Sequence, residues 1–251
     1  AGREGQGGRM IGYPAIDLRG GGCGRLRQGD LHRETVFAAD PVEAALRWAS
    51  EGATWLHVVN LDGAVGQSGE VNLAALQRIR AAVDLPIQFG GGLRTVSDID
   101  RLLGLGIFRV VLGPVAVRQP EVLNEALARH GDERVAVGIA ARGGRVAVQG
   151  WQDVSNVEAA ELGLRVKGLG ITRVVYTDIA RDGMLSGLNV EGTAALARVT
   201  GLRVIASGGV GSREDLERLL PYAAEGIEGV IIGMALYQGR VSLPEAIAHL
   251  S

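Results

Sequence analysis

Apolar residues in this 251-residue chain fall into two kinds of run that alternate from end to end. Short stretches at 14–18, 55–61, 86–89, 109–112, 135–140, 173–178, 203–206 and 229–232 are apolar with few breaks. Strands that read this way are covered on both faces, as those of parallel sheets are. Between them, at 41–48, 73–83, 96–105, 120–129, 157–169, 190–199, 212–222 and 243–250, apolar residues recur at the spacing of an amphipathic helix. Asp40-Pro41 opens the first of these with an N-cap aspartate and a proline in the first turn. Eight strands and eight helices in strict alternation predict an α/β fold, a (β/α)8 barrel of the TIM type.

The halves of the chain also repeat each other. Residues 86–92, ending in Gly90-Gly91-Gly92, answer to 204–209, ending in Ser207-Gly208-Gly209. Val110-Val111-Leu112-Gly113 answers to Val230-Ile231-Ile232-Gly233, and Asn60-Leu61-Asp62 to Asp178-Ile179-Ala180, at offsets from 117 to 120. Residues 15–20 match 138–143 at an offset of 123. The expected barrel is therefore two half-barrels joined head to tail.

Composition narrows the class. A formal net charge of −2 carries no basic surplus for nucleic acid or an anionic membrane, and no apolar run approaches the roughly 18 residues of a membrane span. Residues 1–9 are Gly-rich, lack the apolar core of a signal peptide and read as a leader or tag remnant before a single domain over 10–251. A cytoplasmic protein is expected, acting on a small molecule, as a monomer. Cys23 is the only cysteine, read as a packing residue of a mobile loop, and Lys167, the only lysine, falls in a helical run rather than at a strand end. Four scattered histidines show no metal-ligand spacing, so no metal is expected.

The chemistry should sit at the C-terminal ends of the strands. Asp17 lies there, just before Gly20-Gly21-Gly22, which predicts a strand that stops abruptly with its carboxylate at the barrel mouth. Glycines 90–92 with Gly113, and Ser207, Gly208 and Gly209 with Gly233, can each offer backbone N–H groups and a helix N-terminus to a phosphate. Two such cradles on opposite sides of the mouth suit a ligand with phosphate at both ends. If Asp17 is a proton-transfer group, its counterpart in the second half should be acidic, yet that position is Ala140. Thr177-Asp178-Ile179-Ala180-Arg181-Asp182-Gly183 offers the alternative. Asp182, in a Gly-bounded loop, is placed to meet substrate, whereas Asp178 can serve either substrate or nearby N–H groups. Two separated carboxyl groups between phosphate sites, without metal or lysine, suit acid/base chemistry on a sugar phosphate. Arg94 can reach a phosphate or cap its helix, and Trp151 can stack on substrate or close an apolar lid.

These motifs, with Arg25-Leu26-Arg27-Gln28-Gly29-Asp30, His57-Val58-Val59-Asn60-Leu61-Asp62-Gly63-Ala64 and Gly150-Trp151, together resemble the ProFAR isomerase family of histidine biosynthesis over nearly all of 10–250. The resemblance implies a cofactor-free Amadori rearrangement of an aminoaldose to an aminoketose, on a substrate with a phosphoribosyl group at each end. It makes Asp17 the general base, Asp182 a general acid, Thr177 a hydroxyl beside the ribose, and position 140 the place of a second acid. Asn60, Pro114-Val115, Leu188 and Gly24 also depart from the family's usual residues. Three other readings remain open: a barrel that holds bisphosphorylated ligand without efficient turnover, an isomerase that also accepts phosphoribosylanthranilate, and the cyclase barrel of the same pathway.

Overall fold

A computed structural model of the chain describes residues 9–28, 30–38, 40–148 and 153–251. Residues 1–8, read above as a leader, lie outside the described residues. The strands are β1 (Ile11–Arg19), β2 (Gly22–Arg27), β3 (Asp30–Ala38), β4 (Leu56–Asn60), β5 (Ile87–Gly90), β6 (Arg109–Leu112), β7 (Val135–Arg142), β8 (Arg145–Val148), β9 (Asp153–Glu158), β10 (Arg173–Asp178), β11 (Arg203–Ser207) and β12 (Ile227–Ile232). Eight of them pair in parallel in the order β1-β4-β5-β6-β7-β10-β11-β12, and the ring closes where β12 pairs β1. The helices are α1 (Pro41–Ser50), α2 (Leu61–Ala64), α3 (Glu70–Ala82), α4 (Val96–Gly104), α5 (Val115–Arg118), α6 (Pro120–His130), α7 (Ala159–Gly168), α8 (Val190–Thr200), α9 (Arg213–Leu219), α10 (Met234–Tyr237) and α11 (Leu243–Leu250). The chain is a (β/α)8 barrel. Among the described residues no helix is long and apolar enough to cross a membrane.

Every barrel strand lies within two or three residues of its expected bounds, because continuous apolar character follows directly from burial on both faces. The differences have local causes. The helix expected over 212–222 ends at Leu219 and continues as a 3-10 turn over Leu220–Glu225, where Pro221 has no N–H to give. Residues 157 and 158 belong to β9 rather than to α7. The four-residue helices α2, α5 and α10 are one turn each, too short to leave a periodic signal.

Side chains sort by strand parity. Tyr13, Ala15, Val111, Ala136, Val175, Ile205 and Ile231 form a cluster inside the ring, while Ile16, Leu18, Val58, Phe89, Val137, Ile139, Val174 and Tyr176 join the larger core beneath the helices. The floor of the barrel is polar. Arg173 reaches Glu228 and Glu133, and Arg109 lies 4.6 Å over the Trp55 ring while donating to Gln88 Oε1 at 3.1 Å. That contact turns the Gln88 amide so that Nε2 donates to His57 Nδ1 at 2.9 Å, which leaves the His57 proton on Nε2. This layer closes the N-terminal end of the ring, the end that stabilises rather than reacts.

The strand that bears Asp17 ends at Arg19, just before the glycines as expected, but the chain does not leave the sheet there. Gly20 and Gly21, at φ +55° and +81°, make a two-residue turn that reverses β1 into antiparallel β2, pairing Arg19 with Gly22 and Leu18 with Cys23. A matching turn at Gly143-Gly144 carries β7 into β8 and then β9. Cys23 is thus in a strand and not in an open loop. Its side chain is 3% exposed, and burial pushes the thiol up to about 11, far from the range of a nucleophile at neutral pH.

Candidate active site

Strand register tests the repeat atom by atom. Asp17 lies opposite Val59 of β4, and Ala140 lies opposite Thr177 of β10. The two pairs stand at the offsets read from sequence, 140 − 17 = 123 and 177 − 59 = 118. Pro14 opposite Ile232 and Leu112 opposite Val137 agree with the same offsets. Ala140 is therefore the structural counterpart of Asp17, on the strand diametrically opposite in the ring. Parity aims Asp17, Ala140, Thr177 and Ser207 at the barrel axis in the top layer, and both Asp17 and Ala140 are part-exposed at the mouth.

The turn after β10 separates its two aspartates. Asp178 has the opposite parity to Thr177 and is tied into its own half: Oδ1 accepts from Ala180 N–H at 3.0 Å and Oδ2 from Asn189 Nδ2 at 2.9 Å. These are the bonds to nearby N–H groups that one of its two expected roles calls for. Asn60, its counterpart, does the same work, with Oδ1 accepting from Gly63 N–H at 3.0 Å and from Asn72 Nδ2 at 2.8 Å. An asparagine satisfies this position as an aspartate would, because only an acceptor is needed. Asp182 follows in a compact turn whose N–H bonds to Asp178 O at 3.0 Å, and its side chain is largely buried.

Both glycine cradles form at the mouth. Gly91 and Gly92 have φ +100° and +79°, and Gly208 and Gly209 both have φ +94°. A Cβ on Gly91 would fall 2.3 Å from Asn60 O, and one on Gly208 would fall 2.7 Å from Asp178 O. The chain can pass this close to the end of the neighbouring strand only without a side chain. Gly91→Ala is expected to cost at least about 2 kcal/mol from the left-handed strain alone, read as a lower urea midpoint with an unchanged slope. Pairing of Phe89 with Val110 and of Ala206 with Val230 sets these strands at offsets of 117 (Phe89 to Ala206) and 120 (Val110 to Val230), the bounds read from sequence.

The cradles are not equal. The second is a small cavity lined by Gly208, Gly209, Gly233 and Met234, with Gly183 and Leu185 of the β10 turn. At the first, Pro114 stands at the N-cap of α5 in the place of Met234, following Gly113 as Met234 follows Gly233, and brings no N–H. Arg94 lies beside this first cradle, where its guanidinium donates to Gly63 O at 3.3 Å. The cap of α4 is Thr95, whose hydroxyl accepts from Asp98 N–H, so Arg94 is not the capping side chain. Trp151 and the Arg25 side chain lie outside the described residues. Among the described residues no group of three or more His, Cys, Asp and Glu is placed to hold a metal ion.

Sequence reasoning missed the hairpin that follows β1. Its root is bolted to the first half: Gly20 N–H donates to Asp62 Oδ2 at 2.8 Å, and Gly21 N–H to Asn72 Oδ1 at 2.8 Å. Asn72 in turn donates to Leu18 O at 3.0 Å and to Asp62 Oδ2 at 2.8 Å. The only signal in the sequence was the Gly-Gly pair flanked by strand-forming residues.

Comparison with known proteins supplies the family. The family described as histidine biosynthesis protein matches residues 12–242. A protein of Rhodospirillum rubrum is 50% identical over 242 residues, covering 96% of this chain and 100% of its own length. Proteins of Pelotomaculum thermopropionicum, 50% identical over 96% of this chain and 93% of their own, and of a Synechococcus strain, 49% identical over 94% and 92%, are similarly close. Each is named as an isomerase of an imidazole-4-carboxamide carrying two phosphoribosyl groups. Matched over residues 12–242 and half-identical to such relatives along nearly its whole length, the chain belongs to the histidine biosynthesis protein family.

Proposed function

We propose that this chain is the isomerase that converts ProFAR to PRFAR in histidine biosynthesis, by an Amadori rearrangement at the C-terminal mouth of the barrel. The observation that carries the reading is the placement of Asp17 between two glycine cradles related by the internal repeat, in a chain half-identical to curated isomerases over 96% of its length. The cradles suit a substrate with a phosphate at each end. Net charge of −2 supports a small-molecule partner over nucleic acid or an anionic membrane, and the reading takes the monomer as the working unit.

In this reading Asp182 protonates the ring oxygen of the aminoaldose, opening it to a Schiff base. Asp17 then removes the C2 proton, and the electron pair moves toward the imine nitrogen to give an enolamine. C1 takes up a proton as the C2 hydroxyl loses one, leaving the aminoketose with the same atoms as the substrate. Thr177 holds a ribose hydroxyl beside position 140. Asp178 and Asn60 orient the turns, and Arg94 adds positive charge at the first cradle. No cofactor is required, since substrate and product are isomers that differ only in the place of two protons, one moved from C2 to C1 and one from the C2 hydroxyl to the former ring oxygen.

Relatives bearing the isomerase name over full length favour turnover over a barrel that only binds. The test is turnover of ProFAR by the purified chain, with phosphoribosylanthranilate as the second substrate offered. Conversion of ProFAR alone is the expected result, and conversion of neither overturns the reading. The inequality of the cradles adds a prediction. Pro114→Ala restores one N–H at the first cradle and should tighten binding of the bisphosphorylated substrate about tenfold, measured as KM or by calorimetry, since a hydrogen bond to a charged group contributes about 1.5 kcal/mol or more.

A further inference from the structure

The tip of the β2–β3 hairpin touches the turn that carries Asp182. Gln28 N–H donates to Asp182 O at 2.9 Å, and Gln28 Nε2 donates to Ala180 O at 2.9 Å. The root of the same hairpin is held by Asp62 and Asn72 of the first half. The hairpin thus leaves the strand that bears Asp17, is anchored in one half-barrel, and docks across the mouth on the other.

Backbone strain marks both sides of this contact. Among the described residues, Gln28 at φ +54° and Leu185 at φ +55° are the non-glycine residues with positive φ. Leu185 lies three positions beyond Asp182 and lines the second cradle. Such conformations are unfavourable for a residue with a Cβ and persist where the surroundings hold them. Here the two bonds of Gln28 do the holding at one end. At the other, the turn is fastened to the cradle: Gly187 N–H donates to Gly209 O at 2.9 Å, and Arg181 Nη1 to Gly187 O at 3.0 Å. A single turn, 179–187, therefore links the hairpin tip, Asp182 and the cradle glycines.

We infer that Gln28 is a positioning residue, whose docking of the hairpin tip on the 180–182 backbone sets Asp182 in place when the mouth is covered. The inference rests on the isomerase reading, in which Asp182 is the acid. Glutamine meets the requirement because its amide donates to a carbonyl. Glutamate of the same length cannot donate there and sets a negative charge against Ala180 O.

The experiment compares Gln28→Glu and Gln28→Gly with the unaltered chain by steady-state kinetics on ProFAR and by hydrogen exchange without ligand. Gln28→Glu is expected to lower kcat on the order of 10–100-fold with KM within about twofold, the signature of misplaced groups rather than weakened binding. Gln28→Gly keeps the N–H bond to Asp182 O and relieves the positive φ, so it should fall between. Unchanged kcat in Gln28→Glu, or a rise in KM alone, overturns the inference. If the unaltered chain does not turn over ProFAR, the isomerase reading fails, and exchange decides the contact: faster exchange across 179–185 in Gln28→Glu supports the docking, and unchanged exchange overturns it.

Discussion

Asp17→Asn should abolish isomerisation of ProFAR, lowering kcat on the order of 10²–10⁴-fold, with KM little changed. The substitution keeps the size and shape of the side chain and removes only its basicity. Asp17 faces the axis in the top layer, part-exposed, with its backbone held by β4 on one side through Val59. Position 140, its counterpart on β7, carries alanine in an otherwise regular strand, so the fold makes no demand for a carboxylate at this register. In the proposed reading, binding is supplied elsewhere, by the glycine cradles and the helix turns after β6 and β12. The measurement is steady-state kinetics on both proteins together with substrate binding by calorimetry. A variant that turns over at the unaltered rate would place the base on another residue.

Ala140→Asp is the second large effect, in the opposite direction. A carboxyl there would face Asp17 from the strand diametrically across the ring and stand beside the Thr177 hydroxyl by register. It would offer the rearrangement a second acid on the rigid end of a strand, in addition to Asp182 on its turn. Turnover is expected to rise on the order of 10²–10⁴-fold, the usual contribution of one positioned acid or base. Parallel unfolding curves would show that the gain is chemical, since the position is part-exposed and an added charge there is not buried. If kcat is unchanged, Asp182 already performs the proton transfer alone.

Much of this protein was determined by the sequence itself. Burial of the barrel strands on both faces writes itself as unbroken apolar runs, and burial of one helix face writes itself as a three- and four-residue spacing. Both are local, so the order of elements, the (β/α)8 class and the position of Asp17 near a strand end were legible without coordinates. The repeat was legible because it is carried by residue identity at nearly constant offsets, and the register of β1 with β4 and of β7 with β10 reproduces those offsets.

Other features depended on which segments meet once the ring closes. Gly20-Gly21 reads equally as a strand stop or as a hairpin turn, and only the pairing of Leu18 with Cys23 decides between them. Asp178 and Asp182 are both aspartates in one motif. Their difference comes from parity and from Asn189, which lies eleven residues along and is brought back by the start of α8. The docking of Gln28 on Ala180 spans 152 residues of sequence. The chain from Arg109 through Gln88 to His57 joins three strands that meet only through the register of the parallel sheet. Hydrogen bonds of this kind leave no periodic trace, because each depends on a single side chain and on a neighbour that only the tertiary fold supplies.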